Sequence, residues 1–153
     1  MKRRLFPLTL FFVLLLSALT TYGQTCDQSL MAHVYHPNRL VVAKGCITVT
    51  GTVKSKTPEG DGDIHIRLQL DPGQGTGLLN QANNTSQHGF LVFEPLCQKK
   101  PTQASAKQAC KNFKQNITIP KVGDRVRITG MHMLDNDHGW LEMHPVTDIT
   151  ILP

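Results

Sequence analysis

The sequence predicts a mainly β fold, an all-β barrel of five strands with one short helix between the third and fourth strands. Three observations carry this prediction. Several segments alternate apolar and polar residues with the period of two that is typical of half-buried strands. Loops rich in Gly, Pro, Asp and Asn separate these segments. One segment rich in Lys, Gln and Ala follows the third strand and favours a helix there.

The chain divides into three predicted parts. Residues 1–23 start with a basic cluster and continue with a short apolar run, as a secretory signal peptide does. The apolar run is shorter than the roughly 20 residues of a membrane helix, so we expect no membrane span after cleavage. Residues 24–44 form a polar N-terminal arm, and residues 45–153 form the barrel domain. The expected location is therefore periplasmic or secreted.

The net charge gives no strong signal for nucleic-acid binding. The whole chain has a formal charge of +5, of which Lys2, Arg3 and Arg4 supply three positive charges. Without them the charge falls to about +2, too little for the basic surface that phosphate backbones require. The expected partner is an unidentified ligand.

All four cysteines follow the predicted cleavage site. An even number of cysteines in an oxidising compartment favours two disulfides, for which three pairings exist. We favour Cys97–Cys110, which would close one local loop. The second disulfide would then be Cys26–Cys46, which would tie the arm to the first strand.

The first two strands are predicted from clear alternation. The first begins at Cys46, where apolar residues alternate with threonines, and Gly51 falls on its apolar side at a place where such barrels bend. A turn-rich loop, residues 57–62, follows it. The second strand has one apolar and one polar face. The apolar face carries Ile64, Ile66, Leu68 and Leu70, and the polar face carries Asp63, His65, Arg67 and Gln69.

The middle of the chain predicts a loop, a strand and a helix. Residues 74–89 form a flexible polar loop, and residues 90–96 form a short apolar strand that suits burial on both faces. Residues 97–113 then favour a helix or helical turn.

The last two strands are predicted over residues 126–134 and 140–151, separated by a tight turn. Pro145 lies inside the fifth strand, which requires an edge position or a bulge because proline cannot donate to the ladder. Three strands, a helical connection and two strands make up the order of the oligonucleotide/oligosaccharide-binding (OB) fold.

Two segments contain the candidate functional residues, the entry to strand two and the last loop with strand five. In an OB fold, the loops joining strands one to two and four to five border the ligand surface, so we expect these segments to meet. The candidate ligand-binding residues are Asp61, Asp63, His65, Trp140 and Glu142.

Histidines and carboxylates in these segments also suggest a metal site. No cofactor is certain, but zinc or another divalent ion prefers such ligands. The alternative is structural, since Asp-Gly-Asp and Asp-Asn-Asp-His-Gly are ordinary turn sequences. The hypothetical metal ligands are His65, His138, His144 and Asp63.

Over most of residues 40–151 the chain resembles a family of small exported proteins. The matching segments are residues 46–53, 61–65, 97 and 110, 119–124 and 138–146. The resemblance implies an OB-like fold and brings no established reaction. Family members often carry His where this chain has Arg125, and Ile where it has Met143.

A weaker resemblance is to the thermonuclease-type OB nucleases, which also place Asp-Gly-Asp at the entry to a barrel strand. This chain continues with Ile64 and His65. Arg67 and Glu94 are available as counterparts of the catalytic arginine and glutamate of those enzymes, but no motif supports that assignment.

Three functions follow as hypotheses. The leading one is an extracytoplasmic binding module whose ligand is a divalent metal, a phosphate-bearing molecule or a saccharide. The alternative is a metal-assisted hydrolase of phosphodiesterase or nuclease type, in which Glu142 would act as general base on a bound water. The third is a purely structural domain whose polar loops hold the barrel closed.

Overall fold

Five strands close into a barrel, as the alternation predicted. The computed structural model describes residues 25–74 and 76–153, so the predicted signal peptide lies outside the described residues. The strands follow the order β1-β2-β3-β5-β4, and β4 pairs with β1 to close the ring. Neighbouring strands are antiparallel except β3 and β5, which are parallel. The strands are β1 (Leu40–Pro58), β2 (Ile64–Leu70), β3 (Leu91–Phe93), β4 (Arg125–Asp135) and β5 (Leu141–Ile151).

The apolar side chains of the alternating segments fill the barrel. Ile64, Ile66 and Leu68 of β2 are buried in this core, together with Phe93 of β3 and Met143 of β5. Because side chains alternate along a strand, the residues between them point to the outer face of the barrel. The polar face predicted for β2 is therefore an outer face of the sheet.

The short helix predicted between the third and fourth strands is a 3-10 helix, Ala104–Gln108. Two further 3-10 helices, Gln28–His33 and Pro37–Arg39, precede β1. None of the helices in residues 25–74 and 76–153 combines the length and hydropathy that a membrane crossing requires.

An α-helix, α1 (Gln81–Ser86), occupies the segment that the sequence predicted as a flexible loop. Its Asn- and Ser-rich composition has weak helix propensity, so the local signal was poor. The helix is held by its surroundings: Asn80 and Asn83 form a reciprocal capping box at its start. The Asn83 amide also bonds both the N–H and the C=O of Leu141, at 2.9 and 2.8 Å.

Both disulfides pair as predicted, Cys26 with Cys46 and Cys97 with Cys110. The first disulfide belongs to a second apolar cluster, in which Leu30 and Val34 of the arm pack against Met131 and Met133 of β4.

Strand β1 begins at Leu40 rather than at Cys46, because residues at the end of the predicted arm already pair with β4. The register of that pairing shifts between Val42 and Gly45, which breaks the alternation on which the sequence prediction relied.

Pro145 lies at a bulge. The sequence predicted either an edge position or a bulge for a proline inside this strand. Gly130 pairs with Val146 and His132 pairs with Met143, so β5 has one extra residue across from β4. The strands are close here, since a Cβ atom on Gly130 would lie 2.8 Å from the carbonyl oxygen of Pro145.

Replacing Gly130 with Ala should therefore destabilise the fold. The methyl group meets backbone that cannot rotate away, and we expect the free energy of unfolding to fall by about 1–3 kcal/mol in urea denaturation. Gly60→Ala is the matched control, because a Cβ atom at Gly60 has no neighbour closer than 3.6 Å. Equal losses in the two variants would contradict the steric argument.

Candidate functional site

The registers of three neighbouring strands bring the candidate residues together. Phe93 of β3 pairs with β2 on one side and with β5 on the other. Its successor Glu94 therefore lies between His65 and His144 on the outer face of the sheet. Its carboxylate contacts both rings: Oε1 lies 3.0 Å from Nδ1 of His65, and Oε2 lies 3.1 Å from Nδ1 of His144.

This polar cluster is buried, although it lies outside the barrel core. Asp63, Glu94, Glu142 and His144 are at most 3% exposed. Water therefore cannot solvate their charges, and each polar atom needs a partner within the protein or a bound group.

The orientation of His144 is set by two residues of its own strand region. Trp140 Nε1 donates to Oε2 of Glu142 at 2.8 Å, and Nδ1 of His144 donates to Oε1 of Glu142 at 3.0 Å. In the neutral ring the proton on Nδ1 points to Glu142 and Nε2 carries a lone pair. That Nε2 lies 3.5 Å from Oδ2 of Asp63.

Three buried atoms at this point have no hydrogen-bond partner among the described residues: Oδ2 of Asp63, Oε2 of Glu94 and Nε2 of His144. One ligand atom from each of these residues lies within 4.8 Å of the other two. We call these three residues the inner site. Two carboxylates and an imidazole that lie this close together in a buried position form an arrangement that a cation would stabilise.

Asp63 is held in place by its second oxygen. Oδ1 accepts from the backbone N–H of Cys97 at 2.6 Å, next to the Cys97–Cys110 disulfide. The preceding turn is fixed in the same way, since Oδ1 of Asp61 accepts from the N–H of Asp63 at 3.0 Å. Asp61 thus supports the inner site from the loop before β2.

His65 is oriented by a residue that follows α1. The oxygen of Gln87 accepts from Nε of Arg67 at 2.7 Å and from Nε2 of His65 at 3.1 Å. Since an amide oxygen only accepts, Nε2 of His65 carries the proton. Its Nδ1 then faces two carboxylate oxygens, Oε1 of Glu94 at 3.0 Å and Oε1 of Glu59 at 3.5 Å. We call Glu59, His65 and Glu94 the outer site.

Burial and crowding of like charges shift the pKa values of the cluster. Burial, followed by the charge of Glu142, raises the pKa of Glu94 to about 7. Burial acts to lower the pKa of His144, but Glu94, Asp63 and Glu142 together raise it well above its ordinary value. For His65, burial again acts to lower the pKa, and the neighbouring Glu94 and Glu59 raise it on balance.

A surface cavity of about 240 Å³ adjoins the cluster. Glu59 and Asp61 line it from the loop before β2, and Arg39 and His138 line it from the arm and the last turn. The Glu59 side chain is 38% exposed, so the outer site borders this cavity.

His138 lies apart from both sites, although the sequence suggested it as a metal ligand. Its Nδ1 lies 2.9 Å from Oδ2 of Asp135, an oxygen that also accepts from Nε of Arg39 at 2.8 Å. Its ring stacks on Trp140 with a centroid distance of 4.4 Å. His138 therefore lies at the rim of the cavity and packs against Trp140.

Glu142 does not suit the role of general base that the hydrolase hypothesis gave it. Both of its oxygens accept hydrogen bonds, from Trp140 and His144, and the residue is 1% exposed. A general base must reach a water or substrate proton. Glu142 instead orients His144.

Sequence reasoning found most of the cluster and missed its centre. The structure brings together Asp63, His65, Trp140, Glu142 and His144, with Asp61 behind them. Glu94 had no assigned role, although it is the only charged residue in the apolar segment 90–96. No sequence motif pointed to Glu59 or Gln87.

No protein-family profile matches the chain, and no curated protein matches it at a significant level. We therefore infer the function from the chemistry of the two sites.

The metal-free protein should become less stable as the pH rises from about 5 to about 8. Glu94, His65 and His144 have folded-state pKa values above their ordinary ones. The folded state then binds more protons than the unfolded state in this window, so raising the pH favours unfolding.

Urea denaturation in the presence of a chelator, repeated across this pH range, measures the slope of the free energy of unfolding against pH. Glu94→Gln should flatten it between about pH 5 and 7, since the amide has no proton to lose. Asp148→Asn, an exposed carboxylate on β5, is the control. A flat profile for the parent protein would disprove the proton linkage.

Proposed function

We propose that the protein is an exported binding module for a divalent metal ion, held by Asp63, Glu94 and His144. One observation carries the proposal: each of these residues has a buried polar atom without a hydrogen-bond partner in the described part of the chain, and one ligand atom from each lies within 4.8 Å of the other two. Unpaired buried acceptors cost about 1–3 kcal/mol each, so a cation bound among them would stabilise the folded protein.

The charge of the surroundings supports the proposal. The cluster contains more carboxylates than there are permanently positive side chains near it, which are Arg39 and Arg67. Arg39 already forms an ion pair with Asp135. A divalent ion would offset this excess. A phosphate-bearing ligand is disfavoured, because Glu59 and Asp61 line the adjoining cavity and would repel it.

The ligand types favour zinc, with manganese as the nearest alternative. One imidazole and two carboxylates suit both ions, and the nearby cysteines are oxidised to a disulfide and offer no thiolate. The hydrogen bond from His144 to Glu142 has the form of the carboxylate–histidine–metal arrangement, in which the carboxylate orients the ring and increases its basicity.

Two features support export. The segment 1–23 has the pattern of a signal peptide, and two disulfides suit an oxidising compartment. The inner site uses the Cys97–Cys110 turn to hold Asp63, so the oxidised state suits the proposed metal binding.

Calorimetric zinc titration of the metal-stripped protein, expressed from the full chain, tests the proposal. We expect micromolar or tighter binding, weakened at least about tenfold in Asp63→Asn. The amide keeps the oxygen that accepts from Cys97 and replaces the second oxygen with a group that cannot bind a cation.

The control is Asp148→Asn, which removes a carboxylate of the same type far along β5 and should bind zinc as the parent protein does. Absence of zinc and manganese binding in the folded parent protein would refute the proposal. The cluster would then be a purely structural network of protonated histidines and carboxylates.

A further inference from the structure

We infer that Glu94 bridges two divalent ions, the second held at the outer site by Glu59, His65 and Glu94. The inference rests on the proposed function, because the bridge requires the inner ion. It adds a second binding position, its ligands and its route of access.

The two oxygens of Glu94 serve different neighbours. Oε1 is directed at His65 and Glu59, whereas Oε2 is directed at the inner site and is unpartnered. One ligand atom from each of Glu59, His65 and Glu94 lies within 4.8 Å of the others, as in the inner site. A carboxylate that offers one oxygen to each of two such sets is the usual bridge in paired-metal centres, where the ions are about 3.5–4 Å apart.

The hydrogen bonds around His65 direct its Nδ1 toward the outer site, where it could bind a cation. Gln87 fixes the proton on Nε2, so the neutral ring turns the lone pair of Nδ1 toward two carboxylate oxygens. Three lone-pair atoms directed at one point repel one another unless a proton or a metal ion lies between them. Gln87 and Arg67 thus orient His65 from behind, as residues around metal ligands commonly do.

The two sites differ in access to solvent. The inner ligands Asp63 and His144 are 1% and 0% exposed. The outer ligand Glu59 has a side chain that is 38% exposed and lines the cavity of about 240 Å³. The outer ion would enter and leave through this cavity, and it would bind more weakly because Glu59 is solvated when the ion is absent.

The stoichiometry of metal binding tests the inference. Metal-stripped protein, expressed from the full chain, is titrated with Zn²⁺ in a calorimeter, and the bound ions are counted by elemental analysis after gel filtration. We expect two ions in the parent protein, the second at least about tenfold weaker. Glu59→Gln should bind one ion, with the tighter affinity unchanged.

Asp137→Asn is the matched control, because Asp137 lines the same cavity and belongs to neither ligand set. It should still bind two ions. His65→Gln is a second outer-site variant, and near-ultraviolet circular dichroism of each variant checks that the fold is retained.

Mn²⁺ gives a separate readout by electron paramagnetic resonance. Two ions bridged by one carboxylate should give an exchange-coupled spectrum at two equivalents, and Glu59→Gln should give only the spectrum of isolated ions. Such a spectrum would support the bridge even if the outer ion is too weak for gel filtration.

The outcomes separate the two proposals. One ion in both the parent protein and Glu59→Gln, without spin coupling, would overturn the outer site and leave the inner one standing. No bound ion in the parent protein would overturn both. Two ions that persist in Glu59→Gln and in His65→Gln would overturn the assignment of the second ion to these residues.

Discussion

The arrangement of this protein depends on one buried carboxylate placed between two histidines. Glu94 is 3% exposed, yet it lies within contact distance of His65 on one side and His144 on the other. A lone charge in such surroundings is costly, and its neighbours either share a proton with it or share a cation. Burial raises the pKa of the Glu94 carboxylate to about 7, so its charged and neutral forms are similarly populated near neutral pH.

Each side chain around Glu94 is held by a residue behind it. Trp140 holds Glu142, which holds His144, and Gln87 holds His65. These contacts come from β5 and from the residue that follows α1, so the fold fixes both rings before any ion binds. Such preorganisation would lower the entropy lost if the proposed ion binds.

Segments outside the barrel cover the face of the sheet that carries the cluster. In an OB fold the outer face of strands two and three is the usual ligand surface. Here the cluster on that face is buried, with Gln87 after α1 and the backbone of Cys97 in direct contact with it. A covered face with one cavity of about 240 Å³ suits an ion or a small molecule better than a polymer that needs a long open groove.

The sequence by itself determined the number of strands, the presence of two disulfides and most residues of the cluster, because alternation, cysteine number and turn residues are local signals. It favoured the observed disulfide pairing among three, and it limited Pro145 to an edge or a bulge. The tertiary structure decided the rest. The parallel pairing of β3 with β5 places Glu94 beside His144. Contacts with Leu141 help the capping box to hold α1 in a polar segment of weak helix propensity. His138 was excluded for the same reason, since three-dimensional packing against Asp135 and Trp140, rather than its position in the chain, decides its partners.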